Sequence, residues 1–257
     1  MDKDYQEFIS HIHKLTGINL GLYKETQMKR RLTTLRNKHG FTNFHLYFQH
    51  LKTTPTLLTE FLERMTINVS EFYRNQGRWH VLETKILPQL IEKNRPLKVW
   101  SAACSSGEEA YTLAMILSDL MPLQPQAILA TDLDEQILVR AKTGIYLERA
   151  IKEVPIEKQK RYFKQTEWGY QVDPKLQAYI RFEKQNLLSD RFDKQYDLIV
   201  CRNVMIYFTE EAKHTLYQKF AEALRPGGIL FVGSTEQIFQ AKQYGLEADE
   251  TFFYRKL

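Results

Sequence analysis

The first 65 or so residues carry apolar positions at helical spacing and no alternating, strand-like run. Phe8, Ile12 and Leu15 form one stripe, closed by Gly17. Met28, Leu32 and Leu35 form a second within Lys24–His39, with Gly40 placed to end it. Phe44, Tyr47, Phe48 and Leu51 make a third, and Leu57, Leu58, Phe61, Leu62 and Met65 a fourth. Steps of three and four bring such side chains onto one helix face. A small all-helical domain is expected.

From about residue 79 the period changes. A helix over Val81–Glu92 precedes a strand at Leu97–Ala102, and another helix runs from Glu108 to about Leu120. A strand at Ala127–Asp132 leads into a helix carrying Ile137, Leu138 and Ala141. Later strands fall at Tyr179–Phe182, Tyr196–Cys201 and Ile229–Gly233, with a helix at Glu210–Leu224 between the last two. Pro226-Gly227-Gly228 reads as the turn into the final parallel strand, and Thr251–Arg255 as an edge or antiparallel strand. Strands alternating with helices of this length predict a doubly wound, Rossmann-like α/β domain. Pro155–Tyr179 breaks the alternation and reads as a small inserted subdomain. The expected division is a helical domain at 1–64 and an α/β domain at 65–257, with the insertion at about 155–185.

Composition narrows the classes. The 257 residues can bury a substantial core, and no disulfide or metal is needed to hold it. Lys and Arg number 36 against 31 acidic residues, a net +5 that fits an acidic partner without naming one. No stretch is long and apolar enough to span a membrane, and the polar, acidic start is unlike a signal peptide. Cys104 and Cys201 form no CxxC, and the seven histidines show no metal-ligand spacing. A reduced, cytoplasmic protein is expected, with monomer as the default state and no metal.

In an open α/β sheet, ligands bind beyond the carboxyl ends of the strands. The first such end is Ala102-Ala103-Cys104-Ser105-Ser106-Gly107-Glu108-Glu109. Its single glycine and lack of lysine disfavour a nucleotide polyphosphate, and the two glutamates would repel phosphate. An acid in that first helical turn can instead accept from a ligand ammonium group; the plainer alternative is a Ser105 or Ser106 cap with dipole-favoured glutamates. Asp132 ends the second strand 25 residues beyond Gly107, where a carboxylate can accept from both ribose hydroxyls. Its alternative is a helix cap, a role that Asp134 suits better. Together these features indicate an amine-bearing nucleoside without phosphate, a description that S-adenosylmethionine meets.

Several blocks then resemble one family. Met65-Thr66-Ile67-Asn68-Val69-Ser70-Glu71-Phe72-Tyr73-Arg74 resembles the domain-junction signature of the CheR chemotaxis methyltransferases. Val99–Glu109 resembles their cofactor loop, and Ala130–Asp134 and Asn186-Leu187-Leu188 also fit. Cys201-Arg202-Asn203-Val204-Met205-Ile206-Tyr207-Phe208, followed by Pro226-Gly227-Gly228, is the most specific match. The blocks occur in family order over nearly the whole chain. Two departures are minor: Ser70 where many members have threonine, and Ala110 where proline is frequent.

The resemblance implies transfer of a methyl group from S-adenosylmethionine to glutamates in the cytoplasmic helical region of chemoreceptors, leaving S-adenosylhomocysteine. By the same resemblance, Asn68, Ser70 and Arg74 contact cofactor from the junction. Glu109 holds its amino-acid end and Asp132 the ribose. Asn186 and Leu187 flank the adenine, and Arg202 and Asn203 line the pocket near the sulfonium. Arg74 and Tyr207 sit beside the transferred methyl. The basic run containing Lys29, Arg30, Arg31, Arg36 and Lys38 becomes a docking surface for an acidic receptor helix, where a solvated charged face is the plainer reading. Two other classes remain open from the sequence: an S-adenosylmethionine-dependent RNA methyltransferase, although Cys201–Phe208 lacks the Asn/Asp-Pro-Pro-aromatic pattern that grips a base, and a non-catalytic sensor of the cofactor. The expected partner is protein rather than nucleic acid, with no membrane insertion.

Overall fold

A computed structural model describes residues 2–92 and 95–257, so Met1, the first residue of the expected helical domain, lies outside it. Contacts divide the chain into two compact units. One holds the residues through Ile67 together with Val204–Leu216; the other holds Asn68–Asn203 and Tyr217–Leu257.

The first unit is built from the helices Lys3–Thr16, Glu25–Lys38, Phe44–Thr53 and Pro55–Met65. Their apolar stripes meet in one core of Tyr5, Phe8, Ile12, Met28, Leu32, Leu35, Phe44, Tyr47, Phe48, Leu51, Phe61 and Met65, all buried. Leu15, expected on the first stripe, is 39% exposed. The ends are specified locally. Asp2 caps the first helix, and Gly17 ends it at φ 76°, where a side chain would be strained. Gly40 follows the second helix at φ 78°. Asp4 reaches across to accept from the backbone N–H groups of Phe44 (2.7 Å) and His45 (2.9 Å), satisfying orphan donors at the start of the third helix. The segment Val204–Leu216 packs with these helices: the N–H of Lys24 donates to Tyr207 O (2.9 Å), the N–H of Thr209 donates to Leu22 O (2.9 Å), and Tyr23 bridges Phe208. The sequence division, which assigned 65–257 to one domain, therefore differs at this return segment.

The second unit contains a seven-stranded sheet among the described residues. Its strands are β1 (Val99–Ala102), β2 (Ile128–Asp132), β6 (Ile180–Lys184), β7 (Tyr196–Cys201), β8 (Leu224–Val232), β9 (Leu246–Glu250) and β10 (Phe253–Lys256), in the order β6-β2-β1-β7-β8-β10-β9. The first five are parallel; β10 runs antiparallel to β8, and β9 antiparallel to β10. Every residue of β1 and β7 is buried, as befits central strands covered on both faces. The helix Glu108–Leu120 is buried from Ala110 to Leu117, so it is apolar on all sides. Trp100 packs against Phe192, Tyr196 and Phe220, and its indole N–H donates to Thr131 Oγ1 across to β2 (2.9 Å).

Three expectations change. Pro226-Gly227-Gly228 does not precede the last parallel strand but lies inside β8, where the pairing with β7 shifts register between Tyr196 and Leu198. A Cβ on Gly228 would come within 2.7 Å of Tyr196 O, so only glycine lets the two backbones approach. Of the two readings of the C-terminal strand, antiparallel holds and edge does not, because β9 lies outside it. The insertion is a second, three-stranded sheet of β3 (Ile145–Tyr146), β4 (Phe163–Thr166) and β5 (Gly169–Val172), ordered β3-β5-β4. It begins before residue 155, and the end of the expected insertion belongs to the main sheet as β6.

Candidate active site

Of the residues singled out from the sequence, Glu109, Asp132, Asn186, Leu187, Arg202 and Asn203 lie beyond the carboxyl ends of β1, β2, β6 and β7. After β1 the chain turns through Ala103 (φ 60°), Ser105 (φ 51°) and Gly107 (φ 95°). Asp132, at the end of β2, splints this loop. Its Oδ2 accepts from the Ser105 N–H (2.9 Å) and its Oδ1 from the Asp134 N–H (3.0 Å). Each oxygen retains acceptor capacity. Asp134 is the helix cap, accepting from the N–H groups of Gln136 and Ile137. A Cβ on Gly107 would lie 3.0 Å from the Ala141 side chain and 3.2 Å from the Tyr146 hydroxyl, in a backbone conformation that already favours glycine.

The N-cap of the helix Glu108–Leu120 is Gly107, with no side-chain cap. The serine-cap reading is thereby replaced: the Ser106 hydroxyl reaches the Glu108 carboxylate (2.7 Å), and Ser70 also bonds Glu108. Among the described residues, Ser105 Oγ is buried without a hydrogen-bond partner. Glu109 accepts from the Ser101 hydroxyl (2.8 Å), and its Oε2 lies 3.6 Å from Arg202 Nη1. Burial pushes the carboxyls of Glu108, Glu109 and Asp132 above their ordinary values. The Ser106 hydroxyl opposes this at Glu108, the Arg202 guanidinium at Glu109, and the backbone N–H of Asp134 at Asp132.

Arg202 has a side chain only 3% exposed. Its guanidinium lies over Trp79 (5.2 Å) and Phe231 (4.8 Å). Nη2 donates to Arg74 O (2.8 Å) and Asn75 Oδ1 (3.1 Å). The Arg74 carbonyl also accepts from the Trp79 indole (3.0 Å), so two donors hold this backbone between two residues with positive φ, Tyr73 and Asn75. The Arg74 side chain makes a long contact with Val69 O (3.4 Å). Asn68 Nδ2 donates to Asp134 Oδ2 (2.8 Å).

At β6, the Gln185 N–H donates to Asp132 O (2.9 Å), carrying the chain past Asp132 into Asn186 and Leu187. Asn186 Oδ1 accepts from the Leu188 N–H (3.0 Å), and Lys219 Nζ donates to Leu187 O (2.7 Å) and Asp190 O (2.8 Å), tying the turn down. At β7, the Asn203 N–H donates to Glu236 Oε2 (2.6 Å). Glu236 was missed by sequence reasoning; its one signal is its place three residues after Gly233, beyond β8.

Tyr207 and the basic helix belong to the first unit. The Arg31 guanidinium lies over the Tyr207 ring (6.0 Å) and donates to Met65 O (2.6 Å). Lys29 pairs with Asp2 (3.1 Å), Lys38 with Glu60 (2.6 Å), and Arg36 bonds Asn37 while lying over Phe44 (4.7 Å). Arg30 is exposed and, among the described residues, takes part in none of these pairs. Cys104 and Cys201 are buried, and burial pushes both thiols well up, so neither is a ready nucleophile.

Residues 68–252 match the family described as CheR methyltransferase, SAM binding domain, and residues 3–66 match CheR methyltransferase, all-alpha domain. The chain is 48% identical over 257 residues to the chemotaxis protein methyltransferase of Listeria monocytogenes, covering 100% of this chain and 98% of that protein. It is 36% identical over 249 residues to the chemotaxis protein methyltransferase of Borreliella burgdorferi, covering 91% and 88%. The cofactor is S-adenosylmethionine, and the donor set fits it. Buried carboxylates with acceptor capacity suit an ammonium and ribose hydroxyls, Ser105, which bonds Asp132 through its backbone N–H, keeps a buried hydroxyl with no partner among the described residues, and no lysine is present in the loop to hold phosphate. From the first helix to the last strand, the chain belongs to the CheR family of chemotaxis methyltransferases.

Proposed function

We propose that the protein methylates glutamate side chains in the cytoplasmic helical region of chemoreceptors, forming 5-O-methyl esters. The observation that supports this best is the buried chain Ser101–Glu109–Arg202–Arg74, which ties a carboxylate suited to the cofactor's ammonium to the backbone of the arginine suited to the acceptor. When bound, S-adenosylmethionine supplies an electrophilic methyl group. Glu109 receives the ammonium, Asp132 the ribose hydroxyls, Asn186 and Leu187 flank the adenine, and Asn68, Ser70, Arg202 and Asn203 complete the lining. The acceptor glutamate, with an ordinary pKa of about 4.3, is already ionised, so no general base is needed. Arg74 aligns that carboxylate with its planar fork, and Tyr207, carried over from the family motif, is the second orienting group. In this reading the helices within residues 1–64 dock substrate and the sheet-bearing unit holds the cofactor.

Cofactor affinity should depend on pH with a defined sign. Glu108, Glu109 and Asp132 have raised pKa values in the folded protein, so at low pH they are protonated in both folded and unfolded states. As pH rises from the ordinary carboxylate range towards the raised values, the unfolded chain ionises before the folded one, and the cofactor-free fold loses stability. A bound cation favours the ionised forms. Calorimetry should therefore show proton release on binding, with affinity rising as pH climbs through the raised values and then levelling. Affinity independent of pH would remove these carboxylates from the cation site.

Arg30→Glu tests docking. Methylation of receptor-containing membranes should slow severalfold and lose much of its salt dependence, while the KM for S-adenosylmethionine stays unchanged. Equal rates at low and high salt in variant and wild type would exclude an electrostatic docking role. Label transfer to RNA in place of receptor would support an RNA methyltransferase.

A further inference from the structure

Glu236 is a carboxylate in the second unit that none of the roles above uses. It is 5% exposed and lies beyond the end of β8. Its Oε2 accepts from two backbone donors, the Asn203 N–H (2.6 Å) after β7 and the Gly233 N–H (2.9 Å) after β8. Asn203 stands at φ 60°, a left-handed conformation that asparagine tolerates better than other side chains and that contacts such as this one hold in place. The site is shaped around the carboxylate: a Cβ on Gly233 would fall 2.4 Å from Glu236 Oε2 and 2.9 Å from Asn203 N.

We infer that Glu236 is the positioning residue for the cofactor side of β7. By fixing the left-handed turn at Asn203 it sets where Arg202, one residue earlier, presents its fork to Glu109 and to the Arg74 carbonyl. Hydrogen bonds from backbone donors to a buried carboxylate are stronger than neutral ones, and each donor left without a partner is costly. Without Glu236 the Asn203 N–H loses its acceptor, the strained turn relaxes, and the Arg202 bridge loses its register. Glutamine retains an acceptor oxygen at the same reach, so it should hold the turn. Alanine at position 233 should displace the carboxylate and reproduce its loss.

The proposal rests on S-adenosylmethionine binding and not on the identity of the methyl acceptor, so binding and transfer are read separately. Calorimetry with S-adenosylmethionine on folded Glu236→Ala, Glu236→Gln and Gly233→Ala should give full stoichiometry in all three. Kd should rise about tenfold or more for Glu236→Ala and Gly233→Ala and stay within about threefold of wild type for Glu236→Gln. Two results would overturn the inference: an unchanged Kd in Glu236→Ala, or a reduced stoichiometry at unchanged Kd, which marks a residue needed only for folding. Should Gly233→Ala fail to fold, the alanine and glutamine pair at 236 still decides the question.

Discussion

Arg74→Ala is expected to bind S-adenosylmethionine with near wild-type affinity and to transfer methyl groups about 100-fold more slowly, on the order of 3 kcal/mol of lost transition-state alignment. The structure allows this separation. The backbone of Arg74 is held through its carbonyl by Trp79 and Arg202, neither of which needs the Arg74 side chain, while the guanidinium's hydrogen bond among the described residues is a long 3.4 Å contact to Val69 O. Truncation therefore removes the fork without releasing the junction. A companion Tyr207→Phe variant loses only a hydroxyl and should be slowed about tenfold. Calorimetry beside a radiolabel transfer assay separates the quantities. Unchanged turnover in both variants would remove them from the reaction; a large loss of affinity in Arg74→Ala would make it chiefly a cofactor ligand.

Asp132→Ala should have the opposite signature, abolishing measurable cofactor binding and lowering stability. The side chain organises two loops at once by accepting from Ser105 and Asp134. Its removal leaves two buried N–H groups without their acceptor, at about 1–3 kcal/mol each, and takes away the proposed ribose partner. Kd should rise at least about 100-fold, with a clear fall in melting temperature. Asp132→Asn is expected to fall between, since one oxygen becomes an NH2 group facing an N–H donor. Binding within a few-fold of wild type in the alanine variant would show that ribose recognition lies elsewhere.

The parts of the molecule legible in the sequence are those governed by local period. The helix Glu108–Leu120 and the strand Tyr196–Cys201 lie where the pattern put them, because a buried central element must be apolar along its whole length. The strand Leu246–Glu250 gave no signal: it is an edge, and its polar, acidic sequence answers to solvent and not to a core. The hairpin of β4 and β5 was hidden for a related reason, since only Val172 among its residues is fully buried. Asp132 and Glu109 could be read because their place at strand ends carries meaning in this fold class. The bridging role of Arg202 could not, as it joins residues 128 and 93 positions away through a guanidinium whose neighbours are defined only after folding. The basic helix was legible as charge but not as structure: Lys29, Arg31, Arg36 and Lys38 each hold a partner inside the helical unit.

The central claim is that the methyl group ends on a carboxylate of a receptor, and the chemistry of the product decides it. A carboxyl methyl ester is cleaved by mild base and releases methanol, whereas a methylated amine is stable under the same treatment. The protein is incubated with methyl-labelled S-adenosylmethionine and receptor-containing membranes, then base is added and the vapour is counted. Volatile label dependent on both protein and receptor is the expected result; label that stays non-volatile, or that moves instead to RNA, would contradict it.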